Sequence, residues 1–406
     1  MHDCTTERRC FSRVMFSIAL AAMALCILEA LRNLAWAEEG SHMKQFKQQS
    51  ATWLPRPAVA GHRGAPAFRP EHTLASYQRA IDDGADLIEP DLVITRDGVL
   101  VARHENEISG TTDVADKAVF ASRRATKTID GASITGWFTE DFTLAELKTL
   151  RAKERIPLNR PANLAYDNLF AIPTLQEIID LAQGQSRALG RVIGIYPETK
   201  HPTYFQTIGL ALEERLIDQL QANGYAGPEA PVLIQSFEVA NLKTLRRLSS
   251  MPLVQLIDHA HNRPYDFIAA GDRRTYADLI TPAGLKEIAT YADIVAPYKE
   301  VVIPRDAHNE LGKPTAFVDD AHAAGLAVHV FTLRPENPFL PASLRKGDPA
   351  SPSVRGDSRA EIAAYLEAGI DGFFTDDAAV GRAAIGDFLE RRKKILEPGK
   401  EARIKQ

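Results

Sequence analysis

The sequence predicts an α/β chain closed into a (β/α)8 barrel, with a small insertion after the early strands. Three observations carry that expectation. The chain has 406 residues and 45% hydrophobic content, enough for one large core of the size this architecture tolerates. Past Pro57, short β-branched runs alternate with amphipathic stretches, the rhythm of βα units on a parallel sheet. The runs amount to eight strands plus one hairpin partner, which suits a closed barrel better than a doubly wound sheet.

Residues 1–37 read as a signal peptide. Arg8, Arg9 and Arg13 give a basic start, and 14–28 is an apolar run too short to span a bilayer comfortably. Ala35-Trp36-Ala37 supplies the small residues of a cleavage site. Arg8-Arg9-Cys10-Phe11 also resembles the twin-arginine export pattern, with Glu7 where Ser or Thr is usual. Glu29 and Arg32 interrupt the run and argue against a retained membrane anchor. Cys4, Cys10 and Cys26 all fall in this segment, so the processed chain would hold neither disulfide nor thiol. Leu25 before Cys26 disfavours lipid anchoring. Residues 38–57 read as a linker in which Gly40-Ser41-His42-Met43 looks like a cloning scar. The expectation is a periplasmic or secreted protein.

The barrel is expected over 58–390, followed by a charged tail over 391–406. Candidate strands are 58–62, 87–95, 99–104, 191–198, 232–237, 253–257, 294–296, 327–333 and 372–375. Candidate helices are 74–83, 175–181, 204–223, 238–248, 282–291, 316–324 and 359–368. Between about 105 and 173 the chain turns polar and irregular, with one short helical pattern at 144–150; a connection this long in a barrel caps the mouth where sites are built. A second long loop runs from 334 to 357. The net charge of −5 offers no basic stripe, which argues against nucleic acid and leaves a small anionic ligand to be drawn by a local site. Nothing in the sequence fixes an oligomeric state.

The chemistry gathers at strand ends. Glu89 and Asp91 are two apart in an otherwise apolar strand, so both point to one face and repel unless a cation or basic groups sit between them. A solvated strand end paired with arginine is the plainer alternative; the apolar neighbours favour a metal. His62 ends the first strand and His104 another early one. Two imidazoles facing one phosphorus can serve as base for the entering oxygen and acid for the leaving one. Arg63 can neutralise a phosphate oxygen, or pair with Glu71 or Glu89; the roles are compatible. His72 reads as a loop brace. Glu198 with Lys200 adds one more oxygen ligand and one more cation, completing a three-carboxylate set suited to Ca2+ or Mg2+ and poor for zinc. Gln235 can bind a polyol hydroxyl, and Phe374 packs at the rim. His201 and His329 read as histidines that hydrogen-bond behind the site or sit in the core, His259 and His261 as solvated surface.

His62-Arg63-Gly64, Pro70-Glu71-His72-Thr73, Glu89-Pro90-Asp91, the Asp97–Val101 run with His104, and Tyr196-Pro197-Glu198-Thr199-Lys200 together resemble the glycerophosphodiester phosphodiesterase family, in particular its bacterial periplasmic branch. The similarity runs from about Ala58 to Phe374. It implies a TIM barrel with an insertion and hydrolysis of glycerophosphodiesters such as glycerophosphocholine or glycerophosphoethanolamine to sn-glycerol 3-phosphate and an alcohol. By motif it implies His62 and His104 as the acid/base pair and Glu89, Asp91 and Glu198 as ligands of one divalent cation, Ca2+ ahead of Mg2+. Arg63, Lys200, Glu71, Gln235 and Phe374 fall to the substrate. Two positions depart from the pattern: Glu105 stands where Asp is usual, and Pro90 between the carboxylates suggests an edge-like or bulged strand. The rivals are a lysophospholipase D-like hydrolase, for which Trp137 and Phe138 leave room, and a non-catalytic binding protein on the same barrel.

Overall fold

The structure, a computed structural model, describes residues 52–396. The signal peptide, the cysteines, the possible scar and the end of the charged tail lie outside the described residues. No helix among those described is long and apolar enough to cross a membrane.

The strands are β1 (Ala58–His62), β2 (Leu87–Glu89), β3 (Asp91–Ile94), β4 (Leu100–Ala102), β5 (Ala125–Ile129), β6 (Ala132–Gly136), β7 (Gly194–Ile195), β8 (Glu198–Thr199), β9 (Ile234–Ser236), β10 (Leu253–Ile257), β11 (Ile294–Pro297), β12 (Ala327–Leu333) and β13 (Gly372–Thr375). β2 and β3 form one barrel strand interrupted at Pro90, and β7 and β8 another interrupted at Tyr196-Pro197. Counted so, eight parallel strands run in chain order, and β1 closes the ring by pairing with β13 on one side and β2 on the other. β4 is the antiparallel hairpin partner of β3. Pro90 is therefore not at an edge. It lacks an N–H to give, but its carbonyl accepts from Glu198 N at 2.9 Å, and pairing continues on both sides of it, Ile88 with Ile195 and Asp91 with Glu198.

Alternation along the strands sorts the core in two. Ala58, Ala60, Leu87, Tyr196, Val254, Ala296 and Phe374 belong to one buried cluster, small beside large, which fills the barrel. Their neighbours, such as Val59, Ile88, Val295 and Phe373, join a larger cluster with the apolar faces of the helices. Helix ends follow local chemistry: Thr174 and Glu177 form a capping box before Leu175–Leu189, and Gly190 ends that helix in the left-handed region.

The stretch from 105 to 173 is more ordered than its polarity suggests. It holds a hairpin, β5 to β6, turning on Asp130 and Gly131 at φ of 48° and 81°. Trp137 and Phe138 are buried with Phe120 and Phe142, and Trp137 Nε1 donates to Phe120 O at 2.7 Å. They pack the insertion and so offer no acyl groove.

Candidate active site

The carboxyl end of the barrel opens into a cavity of about 500 Å³. Glu89 ends β2, Asp91 opens β3 and Glu198 opens β8, so three adjacent strand segments bring three carboxylates to its floor, each with an oxygen within 4.8 Å of the others. All three are buried. Glu89 accepts from Arg63 N at 2.7 Å and Gln235 Nε2 at 3.0 Å; Asp91 Oδ2 lies 2.8 Å from His72 Nε2; Glu198 accepts from Lys200 Nζ at 2.8 Å. Burial and the repulsion of its neighbours raise Glu89 well above the usual carboxylate range, and burial pushes Glu198 up to about 8 despite Lys200. Against burial, Lys200, His104 and His72 hold Asp91 well below its ordinary value. Asp91 Oδ1 is buried without a protein partner. An all-oxygen set with an orphaned anionic oxygen fits a hard cation such as Ca2+ or Mg2+.

His62 and His104 stand beside this floor. Nδ1 of His62 lies 2.6 Å from Oδ1 of Asp376, and Nδ1 of His104 lies 2.5 Å from Oε1 of Glu105. Each carboxylate fixes its ring so that Nε2 is the atom left for chemistry. Nε2 of His104 has Lys200 Nζ at 3.4 Å. Burial takes His62 down to about 4 against the pull of Asp376; burial, Arg63 and Lys200 take His104 to about 3. Both rings are thus neutral near pH 7, the form that accepts a proton.

The turn after β1 aims Arg63. Gly64 at φ +92° has Ser76 against it, where a Cβ would come within 2.5 Å of Ser76 Oγ, so the helix Leu74–Asp82 packs directly on the turn. Arg63 Nη1 donates to Glu71 at 3.1 Å, and its Nε lies 3.5 Å from Asp91. Glu71, expected among the substrate contacts, is not on the cavity wall. Its oxygens take Arg63 and both edge nitrogens of Arg155, at 2.8 and 2.7 Å, so it holds guanidinium groups in place. Arg155 also grips Glu105, which explains how Glu at this position still orients His104. Lys200 lies over the Phe237 ring and lines a second, smaller cavity that shares Glu198 with the first. Gln235 lines the main cavity, but its amide donor is spent on Glu89 and the Tyr196 carbonyl. Phe374 is buried between Tyr196 and Phe331, on the cavity wall inside the barrel and not at the rim. His72 is fully buried between Tyr77 and Asp91, the brace its position suggested. His201 pairs with Asp130, and His329 is buried against Tyr196. His259 is exposed, yet it packs on Tyr298 and lines the cavity; His261 is exposed.

Asp376, Arg160 and Arg334 were not singled out from the sequence. Asp376 follows β13, holds His62, and is held in turn by Arg160 from the insertion, whose Nε donates to Glu336 at 2.7 Å. The tract Phe373-Phe374-Thr375-Asp376 carried the only signal: a carboxylate immediately after a barrel strand.

A floor of carboxylates for a hard cation, two oriented imidazoles and guanidinium groups around one cavity define a phosphoester hydrolase on a (β/α)8 barrel. Residues 62–380 match the Glycerophosphoryl diester phosphodiesterase family, and the chain belongs to it. It is 35% identical over 334 residues to a glycerophosphodiester phosphodiesterase of Arabidopsis thaliana, covering 79% of this chain and 84% of that one. Against the Haemophilus influenzae glycerophosphodiester phosphodiesterase the figures are 28% over 337 residues, 78% and 88%. Among solved structures, an Oleispira antarctica phosphodiesterase in complex with the product sn-glycerol-3-phosphate shares the fold at a TM-score of 0.51 and 20% identity, over 82% of this chain and 97% of that one. A glycerophosphodiester phosphodiesterase of Agrobacterium tumefaciens does so at 0.50 and 17%, over 80% and 99%.

Proposed function

We propose that the chain is an exported enzyme of the periplasmic kind, its barrel spanning 58–390, that hydrolyses glycerophosphocholine, glycerophosphoethanolamine and similar diesters to sn-glycerol 3-phosphate and the free alcohol. The observation that carries this is the pair of imidazoles, each pinned at Nδ1 by its own carboxylate, beside three buried carboxylates on one cavity floor. Glu89, Asp91 and Glu198 hold one divalent cation, Ca2+ before Mg2+. When bound, it polarises a phosphoryl oxygen and offsets the charge of its ligands. Arg63 and Lys200 neutralise phosphoryl oxygens. One of His62 and His104 takes the proton of the entering water at Nε2; the other, brought into its protonated form by the negative charge of the bound phosphodiester, gives its Nε2 proton to the departing alkoxide, and the proton taken from the water restores the pair. Phe374 packs against the substrate from the barrel side, and Gln235 faces a glycerol hydroxyl with its buried Oε1, which has no protein partner. Glu71 acts through Arg63. Support for export comes from the N-terminal sequence, and the relatives' names support the substrate class.

Phosphorus NMR of glycerophosphocholine turnover in ¹⁸O-labelled water tests the reading. The expected product is sn-glycerol 3-phosphate carrying the label, with unlabelled choline. Phosphocholine as the phosphorus product, or a lysophospholipid cleaved while glycerophosphocholine is not, would overturn it. N-terminal sequencing of the exported protein beginning near Glu38 tests processing; a retained N-terminus would refute it.

A further inference from the structure

Arg334 directly follows β12 and lines the same cavity as His62 and Asp91. Its Nε sits 3.3 Å from Asp376 Oδ2, and its guanidinium lies over the Phe339 ring at 4.8 Å. An ion pair draws one edge and a ring covers one face, while none of its guanidinium nitrogens has a hydrogen-bond partner among the described residues and the side chain is 28% exposed. The other cations nearby are more committed. Arg63 gives Nη1 to Glu71 and turns Nε toward Asp91, Lys200 bonds Glu198, and Arg305 is shared among Asn309, the Phe339 carbonyl and Glu361.

We propose that Arg334 is a substrate-binding residue, a second guanidinium that takes phosphoryl oxygens through its terminal N–H groups, with Asp376 as the positioning residue that sets both Arg334 and His62. Asp376 holds His62 Nδ1 at Oδ1 and, through Oδ2, which accepts from Arg160, pairs electrostatically with Arg334 at 3.3 Å, so a single carboxylate lies between the imidazole and the guanidinium. Arg160 anchors Asp376 from the insertion and is itself held by Glu336 of the loop after β12, which ties both segments to the catalytic end of the barrel. The chemistry suits the ligand. A phosphodiester presents one negative charge spread over two oxygens and the phosphomonoester product nearly two, and a planar fork of donors matches both with geometric selectivity that an ammonium lacks. Because the product is the more charged, its binding depends on Arg334 more than that of the diester.

This inference rests on the phosphodiesterase reading, and its test separates the two. Calorimetric titration of sn-glycerol 3-phosphate into the calcium-loaded full chain is compared for wild type, Arg334→Gln and Arg334→Lys, alongside kcat and KM for glycerophosphocholine and a thermal unfolding check. Arg334→Gln is expected to weaken product binding by about tenfold or more and to raise KM by less, with Arg334→Lys recovering part of the loss. If the Gln variant unfolds, the Lys variant, which keeps the charge and loses the fork, decides by the same titration. Product affinity within twofold of wild type in a folded variant would overturn the assignment. A wild-type chain that binds the product but leaves glycerophosphocholine intact would defeat the proposed function and leave the Arg334 comparison readable.

Discussion

Glu71→Gln is the perturbation that most sharply separates positioning from contact at this site. Glu71 is 4% exposed and accepts three charge-assisted hydrogen bonds, from Arg63 Nη1 at 3.1 Å and from Arg155 Nε and Nη2 at 2.8 and 2.7 Å. Arg155 continues to Glu105, and Glu105 to His104 Nδ1. Glutamine keeps the shape but removes the charge and points an N–H donor at guanidinium donors. Breaking a buried ion pair from one side costs about 3 to 5 kcal/mol; because 28% of the Arg155 side chain stays in solvent, the low end, about 3 kcal/mol, applies. At about 2.1 cal/mol/K of unfolding entropy per residue, that is a loss of roughly 4 °C in unfolding temperature for a domain of this size. Arg63 and His104 both lose their fixed geometry, so kcat/KM should fall roughly 10- to 100-fold. Calorimetric unfolding of the calcium-loaded protein and glycerophosphocholine kinetics read both effects. A variant with wild-type stability and activity within twofold would refute the relay from Glu71 to the two catalytic-end side chains.

Glu89→Ala should lower turnover by roughly a thousandfold or more while leaving the fold intact, measured by steady-state kinetics with circular dichroism as control; full activity would dismiss the metal assignment. In the calcium-saturated protein, stability should fall as pH drops from about 6.5 to 4. His62 and His329 each have a folded value near 4 because burial disfavours the charged ring, so across that window the unfolded chain binds more protons at these sites and each contributes about 3 kcal/mol; Glu238, which burial pushes up to about 8, opposes them by about 3 kcal/mol, leaving a net fall of about 3 kcal/mol. Denaturant titrations at fixed pH check this, and a flat profile counts against it. The rise in unfolding temperature on adding Ca2+ should grow from pH 5 to 8, since the cation must displace protons from Glu89 and Glu198, which burial holds above their usual range. Glu105→Ala should lower kcat roughly 10- to 100-fold with little change in KM, while Glu105→Asp recovers activity in proportion to how well it still reaches His104.

The strands were legible because barrel strands combine β-branched runs with abrupt polar ends: β1, β10, β12 and β13 fall on the expected bounds. The carboxylate floor was legible for a local reason, since two acids at i and i+2 in an apolar strand imply a neutralising partner. What escaped was non-local or punctuated. Asp376, Arg160 and Arg334 lie far apart in sequence, and each alone reads as an ordinary strand-end or loop residue. Pro90 and Pro197 split strands that read as continuous, because the barrel tolerates a missing ladder bond where the neighbouring pairs persist. The helix expected over 204–223 is two, Pro202–Thr207 and Glu213–Ala222, parted at Gly209 with φ 75°. The β5 to β6 hairpin carried a readable signal, Asp130-Gly131 between β-forming residues, that the polarity of the insertion obscured.

The proposed chemistry requires the carboxylate-held cation and the two oriented histidines together. It is tested most directly by sn-glycerol 3-phosphate release from glycerophosphocholine by the purified protein after EDTA treatment, then with Ca2+ or Mg2+ restored, beside His62→Ala. Release should disappear with EDTA, return with the cation, and be lost in His62→Ala at every cation concentration. Release indifferent to EDTA, or undiminished in His62→Ala, would contradict it.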